Sequence, residues 1–408
     1  MNFGWSLVRQ IRDISRTGIY VLVSAGIGSE QIRLARHYAT GKFFPSSIDQ
    51  THLDAAIDWL CQAQDACGGE GVSAWYGLKT GWHSAYPETS GYIIPTLNSY
   101  ASTYGFDHLY DRARRIGDWE IATQSGNGGV ISSMSTSETR VFNTGQVILG
   151  WCDLYERSQQ SKYLDAAIRG GQYLVRLQEK DGTWKRDTHC GARTYHARVD
   201  WALLRLARLT GNDEFRSAAG RNLQWVVAQQ LANGWFANCG FYNDDPITHV
   251  IGYTLRGLLE CYSLDDSVSK TDILERIVCT IGSMTERTNA SVLAGEEELM
   301  PASFDKDWKP TAKYSCLTGN AQVACVIYRL AQHDISQSHI DTADALLRTL
   351  KRTQYVGQVS AMLSGAIAGS YPIYGHYAGY SFPNWAAKFF ADAIMLKNNW
   401  QHGFCLKG

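Results

Sequence analysis

Five acidic residues lie where long polar segments run into apolar helical stretches, and they are the first candidates for chemistry: Glu88, Glu138, Asp200, Asp244 and Asp245. Cleavage of a glycosidic bond needs a carboxylic acid that is held protonated, commonly opposite a second carboxylate. Glu88 and Asp200 fall in the first turns of predicted helices, where the helix dipole favours a carboxylate but burial in an apolar wall raises its pKa. We therefore expect Glu88 and Asp200 to be catalytic acids.

Each of these carboxylates also has a structural alternative. Glu88 could cap its helix, and Asp200 could be a buried residue whose oxygens are satisfied by neighbouring loops. Asp244 and Asp245, in FYNDDPITHVIG, could cap the helix that follows. Asp200 comes one helical turn after His196, so these two side chains can share a face and pair.

A second group of reactive side chains lies in HCGARTYHARVD, which contains His189, Arg193, Tyr195 and His196. Elimination across a uronic acid needs a base for the C5 proton, a cation for the carboxylate and an acid for the departing oxygen. Histidine, arginine and tyrosine can supply these three groups. We therefore include Tyr195, His196 and His249, which precedes the next apolar helix, among the catalytic candidates, although each histidine could instead be a hydrogen-bonded residue of the rim.

Aromatic and polar residues near these candidates are expected to contact the substrate. Trp and Tyr combine an apolar face with a polar tip, which suits stacking on sugar rings, although the same residues could pack the loops on each other. The predicted substrate-binding residues are Trp75, Trp82, His83, Tyr86, Glu138, Arg140, Asn143, His189, Arg193, Asp244, Asp245, Lys313, Tyr314, Asn320, Tyr377 and Tyr380.

The composition of the chain argues against several classes of function. The 38 basic residues balance the 39 acidic ones, so there is no basic field to attract nucleic acid. The ten cysteines are scattered without a CxxC pair, and no HExxH, P-loop or dinucleotide fingerprint is present. We expect no metal and no cofactor, and buried thiols at Cys316 and Cys325.

Two kinds of helical segment alternate along the chain and must position these residues. The first kind, such as SKYLDAAIRGGQYLVRLQ, is amphipathic with a charged face, whereas the second, such as NTGQVILGWCDLYERS, is apolar or small nearly all round and belongs inside. Segments of the second kind begin near Glu88, Asn143, His196, His249, Cys316 and Ser381, at the spacing of helical hairpins. We predict an all-α fold, an (α/α)6 barrel (toroid) of six helical hairpins.

The connections between these helices differ in length. Those from an inner helix to the next outer helix are short, such as TYG, whereas those from outer to inner are long, such as SGNGGVISSMSTSETRVF. Long structured loops in a compact domain usually carry function. We therefore expect the active site at the mouth that these loops form with the N-termini of the inner helices.

The N-terminal part of the chain is predicted to be distinct from the barrel. Residues 1–45 are expected to form a helical segment that packs on the barrel, and residues 46–408 the catalytic toroid. The apolar run from Gly18 to Gly28 is too short to span a membrane, and no convincing cleavage site follows it. We expect a cytoplasmic protein, with weak peripheral membrane association as the alternative.

Several short motifs resemble those of known families. QEKDGTW (residues 178–184) and QQLANGWF (residues 229–236) resemble the Gln/Gly/Trp turns of toroids related to squalene cyclases and protein prenyltransferases. YPETSGYIIPTL (residues 86–97) and RVDWALLRLARLTGN (residues 198–212) are similar to segments of the six-hairpin glycosidases, particularly the unsaturated glucuronyl and rhamnogalacturonyl hydrolases. In those glycosidases the Asp-containing helix comes before the ETS helix, the reverse of the order here, and no DxDD run of the squalene cyclases occurs.

The residues and the resemblance together predict a carbohydrate-active enzyme, with a glycan as substrate and a glycoside hydrolase with carboxylate acid/base catalysis as the first choice. A uronate lyase or a sugar epimerase that uses His, Tyr and Arg is the second. A non-catalytic glycan-binding or polysaccharide-assembly protein, and a terpenoid-cyclase-like toroid, remain as alternatives from other classes.

Overall fold

The structure, a computed structural model, describes residues 36–38, 40, 42–242, 245–264, 270–286, 298–333, 335–357 and 360–401. Between residues 49 and 401, the described residues form twelve α-helices in an outer and an inner ring. The outer helices are α1 Asp49–Asp65, α3 His108–Thr123, α5 Ser161–Leu177, α7 Asp213–Ala228, α9 Lys270–Glu286 and α11 Gln337–Thr353. The inner helices are α2 Pro87–Tyr104, α4 Val141–Ser158, α6 Ala197–Thr210, α8 Thr248–Leu264, α10 Leu317–Leu330 and α12 Asn384–Gln401. The predicted (α/α)6 barrel is confirmed.

Contacts between helices close the inner ring and hold the outer helices against it. Each inner helix packs against the inner helices before and after it, and α12 packs against α2. Each outer helix packs on the inner helix that precedes it in the chain, while α1 packs on α12, the last helix. All six inner helices begin within three residues of the predicted positions. Helices that are apolar nearly all round are recognisable from sequence because they have no solvent face.

The inner helices α2 and α4 approach closely enough to require glycine. A Cβ atom on Gly150 of α4 would lie 2.3 Å from the carbonyl oxygen of Gly91 on α2. One on Gly91 would lie 2.6 Å from the Cα atom of Val147. Glycine is the residue that permits such an approach of two backbones, so these positions help to set the diameter of the inner ring.

Five glutamines at the C-terminal ends of outer helices tie neighbouring outer helices together, and we call them the glutamine bridges. Each donates a hydrogen bond from Nε2 to a main-chain carbonyl of the next outer helix round the ring. The pairs are Gln64 with Arg112, Gln124 with Ala166, Gln178 with Ala218, Gln230 with Arg276, and Gln354 with His52, at 2.8 to 3.2 Å. The last pair joins α11 to α1. No such pair joins α9 to α11 among the described residues, so the series links the six outer helices in one open chain.

Both polar atoms of each bridging glutamine side chain have further hydrogen-bond partners. The side-chain oxygen lies within hydrogen-bond distance of an arginine or histidine nitrogen on the next outer helix: Arg112, Arg169, Arg221, Arg276 and His52. Nε2 also donates to a glycine carbonyl in the following loop: Gly69, Gly128, Gly182, Gly234 and Gly365. The two Gln/Gly/Trp turns found in the sequence are therefore members of a larger set that holds the wall of the barrel.

The two rims of the barrel differ as predicted. Connections from outer to inner helices have 17 to 30 residues and form the mouth, whereas the others have two to six residues and form what we call the trim rim. The described strands all lie in loops of the mouth: β1 Trp75–Gly77, β2 Gly81–Trp82, β3 Val130–Ile131, β4 Thr139–Arg140, β5 Ser315–Cys316, β6 Ser370–Tyr371 and β7 Ser381–Pro383. All pairs are antiparallel, in the sheets β2-β1-β7, β3-β4 and β5-β6. Pairing of β1 with β7 joins the first loop of the mouth to the last.

The N-terminal segment is described only from residue 36. Tyr38 is buried, and its ring lies 5.3 Å from those of Phe44 and Phe382. Residues 1–35 lie outside the described residues, so the division of the chain at residue 45 stays a prediction. None of the described helices is long and apolar enough to cross a membrane.

Candidate active site

Glu88 lies at the centre of the mouth, in the first turn of α2. Its side chain is buried, and the hydroxyl of Tyr86 donates a hydrogen bond of 3.0 Å to Oε2. Burial raises the pKa of Glu88 to about 7, although the hydrogen bond from Tyr86 and the charge of Arg198 oppose this rise. At neutral pH the carboxyl group is therefore divided between its acid and its conjugate base.

Tyrosines surround this carboxyl group. The hydroxyls of Tyr92 and Tyr253 lie 3.3 Å apart, and Tyr377 accepts a hydrogen bond of 2.8 Å from Nε1 of Trp385. Burial raises the pKa of Tyr253 and Tyr377, and the negative charge of Glu88 raises both further. All three tyrosines therefore stay protonated at neutral pH and can offer neutral hydroxyl groups to a ligand.

Tyr195 and His249 belong to the same group. Tyr195 is buried, and its ring lies edge-on to that of Phe142 at 5.2 Å between centres. Burial raises the pKa of Tyr195 most, the charge of Arg193 opposes this rise, and the charge of Glu88 adds to it. His249 stands 4.3 Å from the ring of Tyr253. Three of the five predicted catalytic residues, Glu88, Tyr195 and His249, therefore meet at the mouth.

His249 is held as a neutral ring. Its Nδ1 lies 2.8 Å from Nε2 of Gln322 on α10. Burial and, to a smaller extent, the charge of Arg198 together lower the pKa of His249 to about 3. An uncharged imidazole in this position can hydrogen-bond a sugar hydroxyl, but it is a weak base at neutral pH.

Arg198 lies deeper in the lumen, next to the rings of Tyr92 and Tyr253. It lies in the first turn of α6 and donates from Nε to the side-chain oxygen of Gln146 at 2.7 Å. Its guanidinium group lies 5.0 to 5.8 Å from the centres of four aromatic rings, those of Tyr92, Trp201, Tyr253 and Phe389. Among the described residues, no carboxylate lies within salt-bridge distance of it. Arg198 therefore brings a positive charge to the centre of the lumen.

Asp200 and His196 are buried on the opposite side of α6. Successive residues of a helix are about 100° apart, so Asp200 lies about 200° round the helix from Arg198 and faces away from the lumen. No partner among the described residues hydrogen-bonds to the carboxyl oxygens of Asp200 or to Nδ1 of His196. Burial raises the pKa of Asp200 and lowers that of His196 to about 3. The expected His196–Asp200 hydrogen bond is absent from the described contacts, and neither residue joins Glu88.

The predicted aromatic residues of the first loop pack on each other and on α1. The ring of Trp75 stacks on that of His83 at 4.0 Å. Trp82 contacts the buried Trp59 of α1 at 5.3 Å and Tyr76 at 5.1 Å. Trp75, Trp82 and His83 therefore pack the loops on each other, which was the alternative to substrate binding. Of the predicted aromatic substrate-binding residues, Tyr86 and Tyr377 lie near Glu88.

The predicted polar contacts are spread round the mouth. Glu138 and Arg140 form a salt bridge of 2.7 Å with each other. Asn320 holds the main chain, accepting from the Met300 nitrogen and donating to the Cys316 oxygen, both at 2.8 Å. Asn143 is buried in α4 and also donates to a main-chain oxygen.

The remaining predicted positions divide by burial. Arg193 is buried, with Nη1 donating to the oxygen of Ala192, and Tyr314 and Tyr380 are half-buried. His189, Asp245 and Lys313 are exposed, and Asp244 lies outside the described residues.

Five further residues at the mouth were not predicted from the sequence: Tyr92, Arg198, Tyr253, Gln322 and Trp385. All five lie in the first two turns of inner helices. The available signal was a polar or amphipathic residue near the start of a helix that is otherwise apolar all round, since such a side chain must face an interior cavity. No three acidic, His or Cys side chains among the described residues are arranged to hold a metal ion.

The fold is shared with several glycan-active enzymes. An unsaturated glucuronyl hydrolase specific for heparin matches with a TM-score of 0.67 at 13% identity over 87% of this chain and 99% of that chain. The enzyme of the same name from Bacillus sp. GL1 matches with 0.67 at 13% identity over 85% and 96%. A polysaccharide lyase matches with 0.63 at 11% identity over 88% and 99%. At these identities the likeness shows the fold, and no curated protein matched the sequence.

The sequence also matches a protein family. Residues 46–285 match the model of the family described as β-L-arabinofuranosidase, GH127 catalytic domain. This stretch is more than half of the 408 residues. The match confirms the prediction of a carbohydrate-active enzyme of the glycoside hydrolase class. The chain therefore belongs to the family of GH127 β-L-arabinofuranosidase catalytic domains.

Proposed function

We propose that this protein cleaves a terminal sugar from a glycan, with Glu88 as the general acid. The observation that carries the proposal is the Glu88 carboxyl group, buried at the mouth with a pKa of about 7. General acid catalysis is most effective when the pKa of the acid lies near the working pH. Glu88 is the group of this cluster that meets this condition.

In the proposed reaction, protonated Glu88 gives its proton to the glycosidic oxygen as the bond from that oxygen to the anomeric carbon breaks. The sugar carries positive charge in an oxocarbenium-like transition state. Water adds to the anomeric carbon, and the proton that it loses restores the acid form of Glu88. The carboxylate left on Glu88 is stabilised by the Tyr86 hydroxyl at 3.0 Å and by the charge of Arg198. These two groups therefore favour proton transfer out of Glu88.

The other residues at the mouth are proposed to bind the sugar. Tyr195, Tyr377 and His249 are neutral at pH 7, so they can hydrogen-bond hydroxyl groups without attracting a charged sugar. The family description names β-L-arabinofuranosidase, and a terminal pentofuranosyl residue is therefore the first substrate that we propose. Asp200 and His196, which face away from the lumen, are proposed to support α6 rather than the reaction.

Uronate elimination is the second candidate, favoured by the position of Arg198 beneath His249 and Tyr253. A guanidinium group there can neutralise the carboxylate of a uronic acid. However, burial and the charge of Glu88 raise the pKa of Tyr253, and the pKa of His249 is about 3. Neither is tuned to remove a C5 proton at neutral pH, which is why we place hydrolysis first.

We also propose that the protein works in a reducing compartment, the cytoplasm. The nine cysteines among the described residues are all free thiols, and five of them are buried. Free buried thiols are typical of a reducing environment, whereas oxidising compartments favour disulfides.

The test compares wild type with Glu88→Gln on an aryl β-L-arabinofuranoside, on unsaturated uronyl disaccharides and on an intact uronate polymer. Product release and near-ultraviolet absorbance are both followed. We expect release from the arabinofuranoside, lowered about a hundredfold or more in kcat by Glu88→Gln with little change in substrate affinity. Glu70→Gln, at an exposed position of the first loop, is the matched control and should keep full activity.

Two outcomes would contradict the proposal. New ultraviolet absorbance from an intact uronate polymer, lost in His249→Ala or Tyr253→Phe but retained in Glu88→Gln, would indicate a lyase. Tight binding of a glycan without any turnover would indicate a binding protein.

A further inference from the structure

The half of the lumen that lies towards the trim rim encloses a cavity of about 150 Å³. A cavity needs only about 10–15 Å³ of such space to hold one water molecule. All six inner helices contribute to its wall, and it reaches the exposed Thr103 at the C-terminal end of α2. It therefore has room for a small molecule and a path to solvent that does not pass through the mouth.

The wall of this cavity carries more positive than negative charge. Five cationic side chains line it: Arg198, Arg205, Arg256, Arg329 and Lys388. Three carboxylates line it: Asp153, Glu260 and Asp392. Arg198, Arg205, Arg329 and Lys388 are each more than nine-tenths buried. A buried cation is costly unless it is paired, so the excess of positive charge must fall on particular side chains of the wall.

Two of the carboxylates account for three of the cations. Glu260 accepts from Nε of Arg256 at 2.7 Å and from Nε of Arg329 at 3.1 Å. Asp392 pairs with Lys388, one helical turn away on α12. One carboxylate shared between two guanidinium groups leaves this part of the wall with a net positive charge.

Arg205 and Arg198 complete the set on α6. Arg205 pairs with Glu156 and lies 3.6 Å from Asp153, yet its Nε has no acceptor among the described residues. Arg198 has a glutamine and four aromatic rings as neighbours, but no carboxylate within salt-bridge distance among the described residues. The cavity thus ends at an uncompensated cation.

We propose that this cavity is a binding site for a small oxyanion, which enters from the trim rim and pairs with Arg198 and Arg205. Guanidinium groups bind the oxygens of phosphates and carboxylates with charge-assisted hydrogen bonds. The anion supplies the negative charge that the wall lacks. Inorganic phosphate and the carboxylate of a free sugar acid share this chemistry. The site shares Arg198 with the mouth, but Glu88 does not line it, and the proposal does not rest on the proposed hydrolysis.

Isothermal titration calorimetry of the full chain tests the proposal with sodium phosphate, sodium glucuronate and, as a neutral control, glucose. We expect saturable binding of phosphate, glucuronate or both at pH 7, and a rise in melting temperature with ligand concentration. Thr103→Trp, which narrows the opening, and Arg198→Gln, which removes the uncompensated cation, should each weaken binding at least tenfold. Arg114→Gln, at an exposed salt bridge on α3, is the matched control.

The outcomes separate this site from the mouth. Glu88→Gln should bind the anion at least as tightly as wild type does, because Glu88 lies outside the cavity wall and the substitution removes a negative charge near Arg198. Absence of binding by both anions in the wild type would overturn the proposal. So would binding that is insensitive to Thr103→Trp and to Arg198→Gln, or glucuronate binding that only Glu88→Gln abolishes. If Arg198→Gln does not fold, the Thr103→Trp result decides.

Discussion

The two halves of the lumen hold two buried glutamates in opposite states. Glu88, at the mouth, has no salt bridge among the described residues, and burial raises its pKa to about 7. Glu260, towards the trim rim, is just as deeply buried, yet its pKa falls to about 2. Burial alone would raise the pKa of Glu260, but the charges of Arg256 and Arg329 outweigh it.

The charged partner, and not the depth of burial, therefore decides whether a buried carboxyl group is an acid or an anion at neutral pH. An opposite charge within a few ångströms favours the ionised form, whereas an apolar or neutral surrounding favours the acid. The mouth therefore contains a carboxyl group that can exchange a proton at neutral pH. The trim half contains one that is fixed as an anion and holds two arginines in place.

The largest expected effect is on the trim half. Glu260→Gln should lower the free energy of unfolding by about 3–5 kcal/mol, because it leaves two buried guanidinium groups without a carboxylate. Chemical denaturation at pH 7 measures this loss. Glu156→Gln is the matched control, since Glu156 is 38% exposed and its partner Arg205 keeps Asp153 nearby. Equal stability of the two variants would contradict the assigned role of Glu260.

The second effect concerns the pH dependence of stability, which should have opposite signs in the two halves. The folded pKa of Glu88 is raised from 4.5 to about 7, so its contribution is complete below pH 4.5 and is lost as the pH rises through 7. The loss is about 3 kcal/mol by linkage. The folded pKa of Glu260 is lowered, so its contribution is present above pH 4.5 and is lost as the pH falls towards 2.

Denaturation of the wild type and Glu88→Gln between pH 4 and pH 9 measures the first of these effects. Glu88→Gln should remove most of the loss of stability between pH 5 and pH 8, because glutamine does not titrate. An unchanged pH profile would show that Glu88 ionises normally, and it would remove the difference between the two halves.

The smallest effect concerns the hydrogen bond from Tyr86 to Glu88. Tyr86→Phe removes the hydrogen bond that opposes the rise of the Glu88 pKa, a contribution of about 1 kcal/mol. The alkaline limb of kcat/KM should therefore move to higher pH, because the acid form of Glu88 persists further. Tyr110→Phe, on the outer helix α3, is the control and should leave the profile unchanged. A shift to lower pH in Tyr86→Phe would contradict the assignment of Glu88 as the acid.

Some features of the site were predictable because they are properties of local sequence. The position of Glu88 in the first turn of an inner helix followed from the apolar segment that begins there, and its raised pKa followed from burial. The charged group that opposes this rise did not follow. Arg198 comes from α6, so its proximity to Glu88 on α2 depends on how the inner helices close round the lumen.

The twelve helices, their alternation and the long loops at one rim were predictable from the sequence, because helical periodicity and turn residues act over a few positions. The face of each inner helix that meets the lumen was not predictable in this way, because it depends on packing between helices. Glu88 and Asp200 both stand in first turns of inner helices, and both are buried. Glu88 faces the lumen and Asp200 faces away from it, because the rotation of each helix about its axis is set by packing against its neighbours and is not encoded in any single segment.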